Sequence, residues 1–179
     1  MTPNLLKSCC FSGHRKISPD KIPCIVEKLN FEISYLAEHG IEDFYAGGAL
    51  GFDTIAALSV LRYKQFKPSV KLHLILPCAD QCRGWSEHDI DIYNSIRARA
   101  DSVEILSDHY HGGVMHMRNR AMVDTSEYCI CYWEKDNGRP EYSGGTLYTV
   151  NYARKLGRKI INLCDEPPED IQIEFNFSV

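Results

Sequence analysis

Short apolar runs alternate with amphipathic helical patterns along nearly the whole chain, and this alternation restricts the fold more than any single motif. Leu6 to Phe11 reads as a first strand that ends in a loop at Gly13. Ser18 and Pro19 then mark a helix start, because serine accepts hydrogen bonds from free N–H groups and proline is tolerated at the first helical position. Ile22, Ile25, Val26, Leu29, Ile33 and Leu36 fall on one face at helical spacing, and Gly40 stops that helix. Further strands are predicted at Asp43 to Ala46, Val70 to Leu76, Val103 to Leu106, Tyr128 to Trp133 and Lys159 to Leu163. Helical patterns separate them, running through Ile55 to Phe66, through Ile90 to Ile96 behind a capping box at Ser86 and Asp89, through Met115 to Ser126, and through Leu147 to Leu156. Strand, helix and strand in repeated succession require crossover connections. The chain therefore predicts an α/β, Rossmann-like, open and mainly parallel sheet with helices on both faces.

Three glycine-bearing loops follow strands in this scheme: Ser12-Gly13-His14-Arg15, Gly47-Gly48-Ala49-Leu50-Gly51-Phe52-Asp53, and Ser143-Gly144-Gly145-Thr146. In a parallel sheet such loops meet at the carboxyl ends of the strands, where helix N-termini attract anions. Arg15 follows the first loop, where a guanidinium can grip phosphate in a two-pronged contact, and Ser12 can donate to the same anion. Gly47, Gly48 and Gly51 permit close backbone approach to a ligand. Asp53 is placed either to accept from ribose hydroxyls or to serve as an ordinary first-turn acid. The second loop lacks the Gly-Lys-Ser/Thr ending of a triphosphate loop and the GxGxxG spacing, which disfavours classical triphosphate binding. Gly144, Gly145 and Thr146 offer two permissive amides and a hydroxyl at a helix start. Arg118 and Asn119 form a polar cluster with His116 and Arg120; Arg118 suits a sugar phosphate, and His116 suits proton donation. Trp85 leaves the third strand, placed either to stack on a base or to plug the edge of the core.

Composition removes several classes. A chain of 179 residues with 44% hydrophobic content suits one domain, with a core over about residues 8–163 and an acidic tail over 164–179. The formal charge of −4 provides no global excess of cation, so nucleic acid is not the expected partner. Met1 to Gly13 lacks the pattern of a secretory signal and no run approaches a membrane span, so a cytoplasmic protein without membrane association is expected. Eight cysteines without a secretory signal do not suggest a disulfide framework; Cys9, Cys10, Cys129, Cys131 and Cys164 lie in strand-like runs and read as small buried hydrophobes. Cys78 and Cys82, with His88 nearby, lack a second CxxC or HxxxH pair, and no metal site is expected.

Taken in order, these motifs resemble the SLOG superfamily, the Rossmann-like group that includes the DNA-processing protein DprA and the LOG phosphoribohydrolases. The similarity is strongest to its small YpsA-like bacterial and phage branch. It is carried by Ser12 to Arg15, by Gly47 to Asp53 and by Gln81 with Trp85, and it spans roughly residues 8–163. Met115-His116-Met117-Arg118 resembles the Met-His-x-Arg motif of LOG enzymes, and Gly144-Gly145-Thr146 resembles part of their glycine-rich motif. The resemblance implies a domain that binds a nucleotide or nucleotide-derived ligand, with YpsA-like members linked to bacterial cell-division control. It implies no separate cofactor. One position departs from the LOG pattern: Thr149 stands where those enzymes carry glutamate. Hydrolysis of an N-glycosidic bond would then need another acid, such as Asp53 or Glu87. The leading expectation is a binding or sensing module. A LOG-like phosphoribohydrolase and a DprA-like single-strand DNA binder are the alternatives, and a homo-oligomer is compatible with each.

Overall fold

In the computed structural model, which describes residues 7–134 and 144–165, six strands form one sheet in which every pairing is parallel. The chain runs β1 (Ser8–Gly13), α1 (Ile22–Glu38), β2 (Asp43–Ala46), α2 (Phe52–Lys64), β3 (Lys71–Leu76), α3 (Glu87–Arg99), β4 (Ser102–Ile105), α4 (Val114–Asp124), β5 (Tyr128–Tyr132), α5 (Gly145–Lys155) and β6 (Lys159–Asn162). The order across the sheet is β4-β3-β2-β1-β5-β6. Succession proceeds outward from β1 to β4 and then returns to the other side of β1. The crevice between the ends of β1 and β5 is therefore the topological switch point, where open α/β sheets take their ligands.

Alternation along the strands divides the core into two layers. Cys9 and Phe11 of β1, Phe44 of β2, Leu72, Leu74 and Leu76 of β3 and Ile130 of β5 pack with α1, α2 and α3. Cys10, Ile75, Cys129 and Cys131 point the other way and pack with Met122 and Val123 of α4 and Val150 and Ala153 of α5. The register sets Cys10 opposite Cys129 and Ser12 opposite Cys131. Cys9, Cys10, Cys129 and Cys131 have no exposed surface, and burial is the chief cause that pushes the Cys9 and Cys131 thiols upward, so they act as small apolar side chains. No helix among the described residues is long and apolar enough to cross a membrane.

The start of the first helix differs from the sequence expectation. Ser18 and Pro19 open a single 3₁₀ turn, Pro19–Lys21, and α1 begins one step later with Pro23 in its own first turn. The capping box holds: the Ser86 hydroxyl accepts from the Asp89 N–H at 3.1 Å and donates to the Asp89 carboxylate at 2.7 Å. Leu6, Ser143, most of the loop before it and the tail from residue 166 lie outside the described residues.

The first two loops are stacked backbone on backbone. Phe52 N–H donates to the His14 carbonyl at 3.1 Å, and a Cβ on Gly51 would lie 2.3 Å from the Arg15 carbonyl oxygen. Gly51 also has φ of +77°, a conformation that side chains disfavour. Gly51→Ala is expected to cost about 2–3 kcal/mol. Thermal unfolding should show a drop of roughly 4–12 °C for a domain of this size.

Candidate functional site

A cavity of about 1000 Å³ opens at the switch point. Its floor is Phe11 to Lys16 at the end of β1, and Trp133 and Glu134 form the side at the end of β5. Asp53 from α2, Met115, His116, Arg118 and Asn119 from α4 and Gly144 to Leu147 at the start of α5 line much of the rest. Three helix N-termini thus face one space. The first amides of a helix have no intrahelical acceptor, and the helix dipole adds positive potential there.

One of the three, α2, carries an acid of its own in its first turn. The Asp53 carboxylate, in the first turn of α2, accepts from Gly47 N–H at 3.2 Å and from Ala49 N–H at 3.3 Å. Arg118 Nη1 donates to the same oxygen at 3.3 Å, and the two side chains are only 7% and 6% exposed. Burial pushes the Asp53 carboxyl upward and the Arg118 guanidinium downward, each against the attraction of the other. Arg118 reaches this position because Gly47 has no side chain: a Cβ there would sit 1.6 Å from Nη1. The second glycine loop is therefore an internal anion site occupied by the protein's own carboxylate.

This arrangement changes the roles expected from sequence. Gly47, Gly48 and Gly51 serve the loop's construction and do not line the cavity, and Asp53 is engaged with Arg118 and backbone amides. Ser12, Gly13, Arg15, Arg118, Asn119, Gly144, Gly145 and Thr146 are brought together at the cavity with Asp53. Trp85 is not; it packs against the core edge-on to Tyr93, with ring centroids 5.4 Å apart. Gln81 of the same segment donates to the Gly48 carbonyl at 2.6 Å. The Gln/Trp segment braces the second loop from outside. Glu87 also stands away from the cavity.

Arg15 and Lys16 are exposed at the cavity mouth, and the α5 start lies across from them. Asn119 Nδ2 reaches the Gly145 carbonyl at 3.5 Å, a long contact, while the buried Thr149 hydroxyl donates to that carbonyl at 2.8 Å. Thr149 thus lies beneath the third loop, facing its own helix backbone.

Sequence reading passed over His14, Trp133 and Glu134. Glu134 N–H donates to His14 Nε2 at 3.1 Å, which joins the β1 and β5 exits. Its carboxylate accepts from Lys21 at 2.6 Å and from the Tyr132 hydroxyl; these bonds, Lys21 first, hold it below the ordinary carboxylate range. Both carboxylates that line the cavity among the described residues are thus paired. The tryptophan at the cavity is Trp133, with the Arg154 guanidinium 5.7 Å from its ring centroid. The signal for Trp133 and Glu134 was their place after β5, the strand beside β1, which needs the sheet order to read.

Removing one member of the Asp53–Arg118 pair strands the other as a buried charge. Asp53→Leu or Arg118→Met alone is expected to cost about 3–5 kcal/mol in denaturant unfolding. The double variant should lose clearly less than the sum, with at least about 1 kcal/mol of coupling.

A family model for the YspA SLOG family matches residues 12–165. The UPF0398 protein of Bacillus thuringiensis (strain Al Hakam) is 25% identical over 138 residues, covering 76% of this chain and 72% of the relative. That of Halalkalibacterium halodurans is 30% identical over 114 residues, covering 62% and 60%. Among solved structures, DNA processing protein A from Helicobacter pylori superposes with a TM-score of 0.58 at 19% identity, over 87% of this chain and 66% of that one. The Streptococcus pneumoniae protein gives 0.59 at 16% identity, over 88% of this chain and 50% of that one. At such identity the shared property is the fold. The chain spans about two thirds of the first of these and half of the second.

Proposed function

The chain belongs to the YspA SLOG family, and on that premise we propose that it is a cytoplasmic binding or sensing module whose switch-point cavity takes a nucleotide or nucleotide-derived ligand. The observation that carries this reading is the division of labour among the loops. Asp53 satisfies the amides of the second loop, so an incoming phosphate goes to the α5 start at Gly145 and Thr146 and to Arg15 across the cavity. Trp133 and the apolar wall of Phe11, Met115, Met122 and Leu147 suit a sugar or base.

Binding is favoured over hydrolysis because no carboxylate among the described cavity residues is left unengaged: Asp53 is held by Arg118, Glu134 by Lys21, and Thr149 replaces the acid expected of a LOG enzyme. Incubation with nucleoside monophosphates should release no free base. A second reading draws on the H. pylori protein, whose structure is described as showing a single-stranded DNA binding mode. The shared fold weakens the expectation, drawn from a net charge of −4, that nucleic acid is excluded. A mobility shift with an oligonucleotide that weakens steeply with salt would favour this reading.

Calorimetry with nucleoside mono- and diphosphates, ADP-ribose and nicotinamide dinucleotides tests the leading reading. At least one member should bind, and Arg15→Ala should weaken it by roughly 10- to 100-fold, the range of a charge-assisted hydrogen bond. Arg15 is exposed, so the variant should keep its melting temperature. No binding by any member at millimolar concentration would overturn it.

A further inference from the structure

A second cavity, of about 700 Å³, lies in the groove between α4 and α5. It shares His116, Gly144, Gly145, Leu147 and Asn151 with the first, so the two are parts of one trough that leads away from the α5 start. Its far end is walled by Arg120, Tyr148, Tyr152 and Lys155. Arg120 is held in place: its guanidinium bonds the Tyr148 hydroxyl and lies 5.6 Å from the ring centroids of both Tyr148 and Tyr152. His116 meets the Tyr148 ring edge-on at 4.0 Å. No carboxylate lines this groove among the described residues, and Asp124, at the end of α4, accepts from the Tyr152 hydroxyl at 2.8 Å. The result is an exposed, cationic and aromatic groove continuous with the proposed phosphate site.

We propose that this α4–α5 groove is a second subsite and that the ligand is a dinucleotide, with one unit in the switch-point cavity and the second, phosphate-linked unit against Arg120, Tyr148, Tyr152 and Lys155. The inference rests on the nucleotide reading above and extends it. Two cations in a groove lined by no carboxylate among the described residues suit a phosphate, and the tyrosine and histidine rings give a base an apolar, polarisable wall. A mononucleotide would leave this second stretch of the trough empty.

Calorimetry can separate the two readings. AMP, GMP, CMP and UMP are compared with the pyrophosphate-linked dinucleotides built from them, on the full chain and on an Arg120→Gln/Lys155→Gln variant. A dinucleotide should bind the unaltered protein at least tenfold more tightly than its mononucleotide. The variant should lose that advantage while its mononucleotide affinity stays within twofold. Lys155→Glu, a single exposed change at the helix end, should produce the same selective loss. Equal affinity of both lengths, unmoved by either variant, would overturn the second subsite and leave the nucleotide reading standing. Failure of every nucleotide of either length would overturn that reading and this inference with it. Loss of mononucleotide binding in both variants would show that the groove is not a separate subsite. An oligothymidylate binding tenfold more tightly than any dinucleotide, with that advantage abolished in the variants, would assign the groove to nucleic acid and overturn the dinucleotide class.

Discussion

The buried pair of Asp53 and Arg118 joins helices from opposite faces of the sheet at the edge where the glycine loops lie. Asp53 belongs to α2 and Arg118 to α4, so their contact crosses over the end of the sheet itself. Two charges in so dry a place are costly unless each satisfies the other and further donors help. Here the Gly47 and Ala49 amides provide that help, and the absence of a side chain at Gly47 provides the room. The pair is thus less a source of net stability than a constraint that fixes how the second loop folds.

From that constraint the anion chemistry follows. A helix N-terminus beside a glycine loop attracts phosphate by default, but here Asp53 in the first turn of α2 already accepts from the Gly47 and Ala49 amides and from Arg118. Of the other two helix starts at the cavity, neither α4 nor α5 has an acid in its first turn, and in the proposed reading the phosphate takes the α5 start and Arg15, beside the crevice between β1 and β5. The same geometry explains why Gly51 approaches the Arg15 carbonyl so closely: the second loop supports the first, and the first presents the arginine.

Much of the architecture was legible in the sequence, because strand and helix periodicities alternate cleanly and the Ser86 capping box and the Asp43–Ala46 strand are local signals. The candidate site was legible in outline, since Ser12, Arg15 and Gly145 stand at recognisable glycine loops after strands and Arg118 in the helical pattern that follows another. What sequence did not reveal were partnerships between distant positions. Nothing local shows that Asp53 meets a side chain 65 residues away, so its reading as a ribose acceptor or a first-turn acid stayed open. Trp85 and Trp133 both follow a strand, yet β3 lies two strands from the switch point and β5 beside it. Only the sheet order separates a core plug from a cavity wall. Glu134 and His14 were hidden for the same reason, their bond spanning 120 positions.

The most direct test is a crystal structure of the protein with a nucleotide bound. The phosphate oxygens are expected within hydrogen-bonding distance of the Gly145 and Thr146 amides and of the Arg15 guanidinium, with the Asp53–Arg118 contact intact. A phosphate seated instead on the Gly47 and Ala49 amides with Asp53 displaced, or a nucleotide bound outside the crevice between β1 and β5, would contradict it.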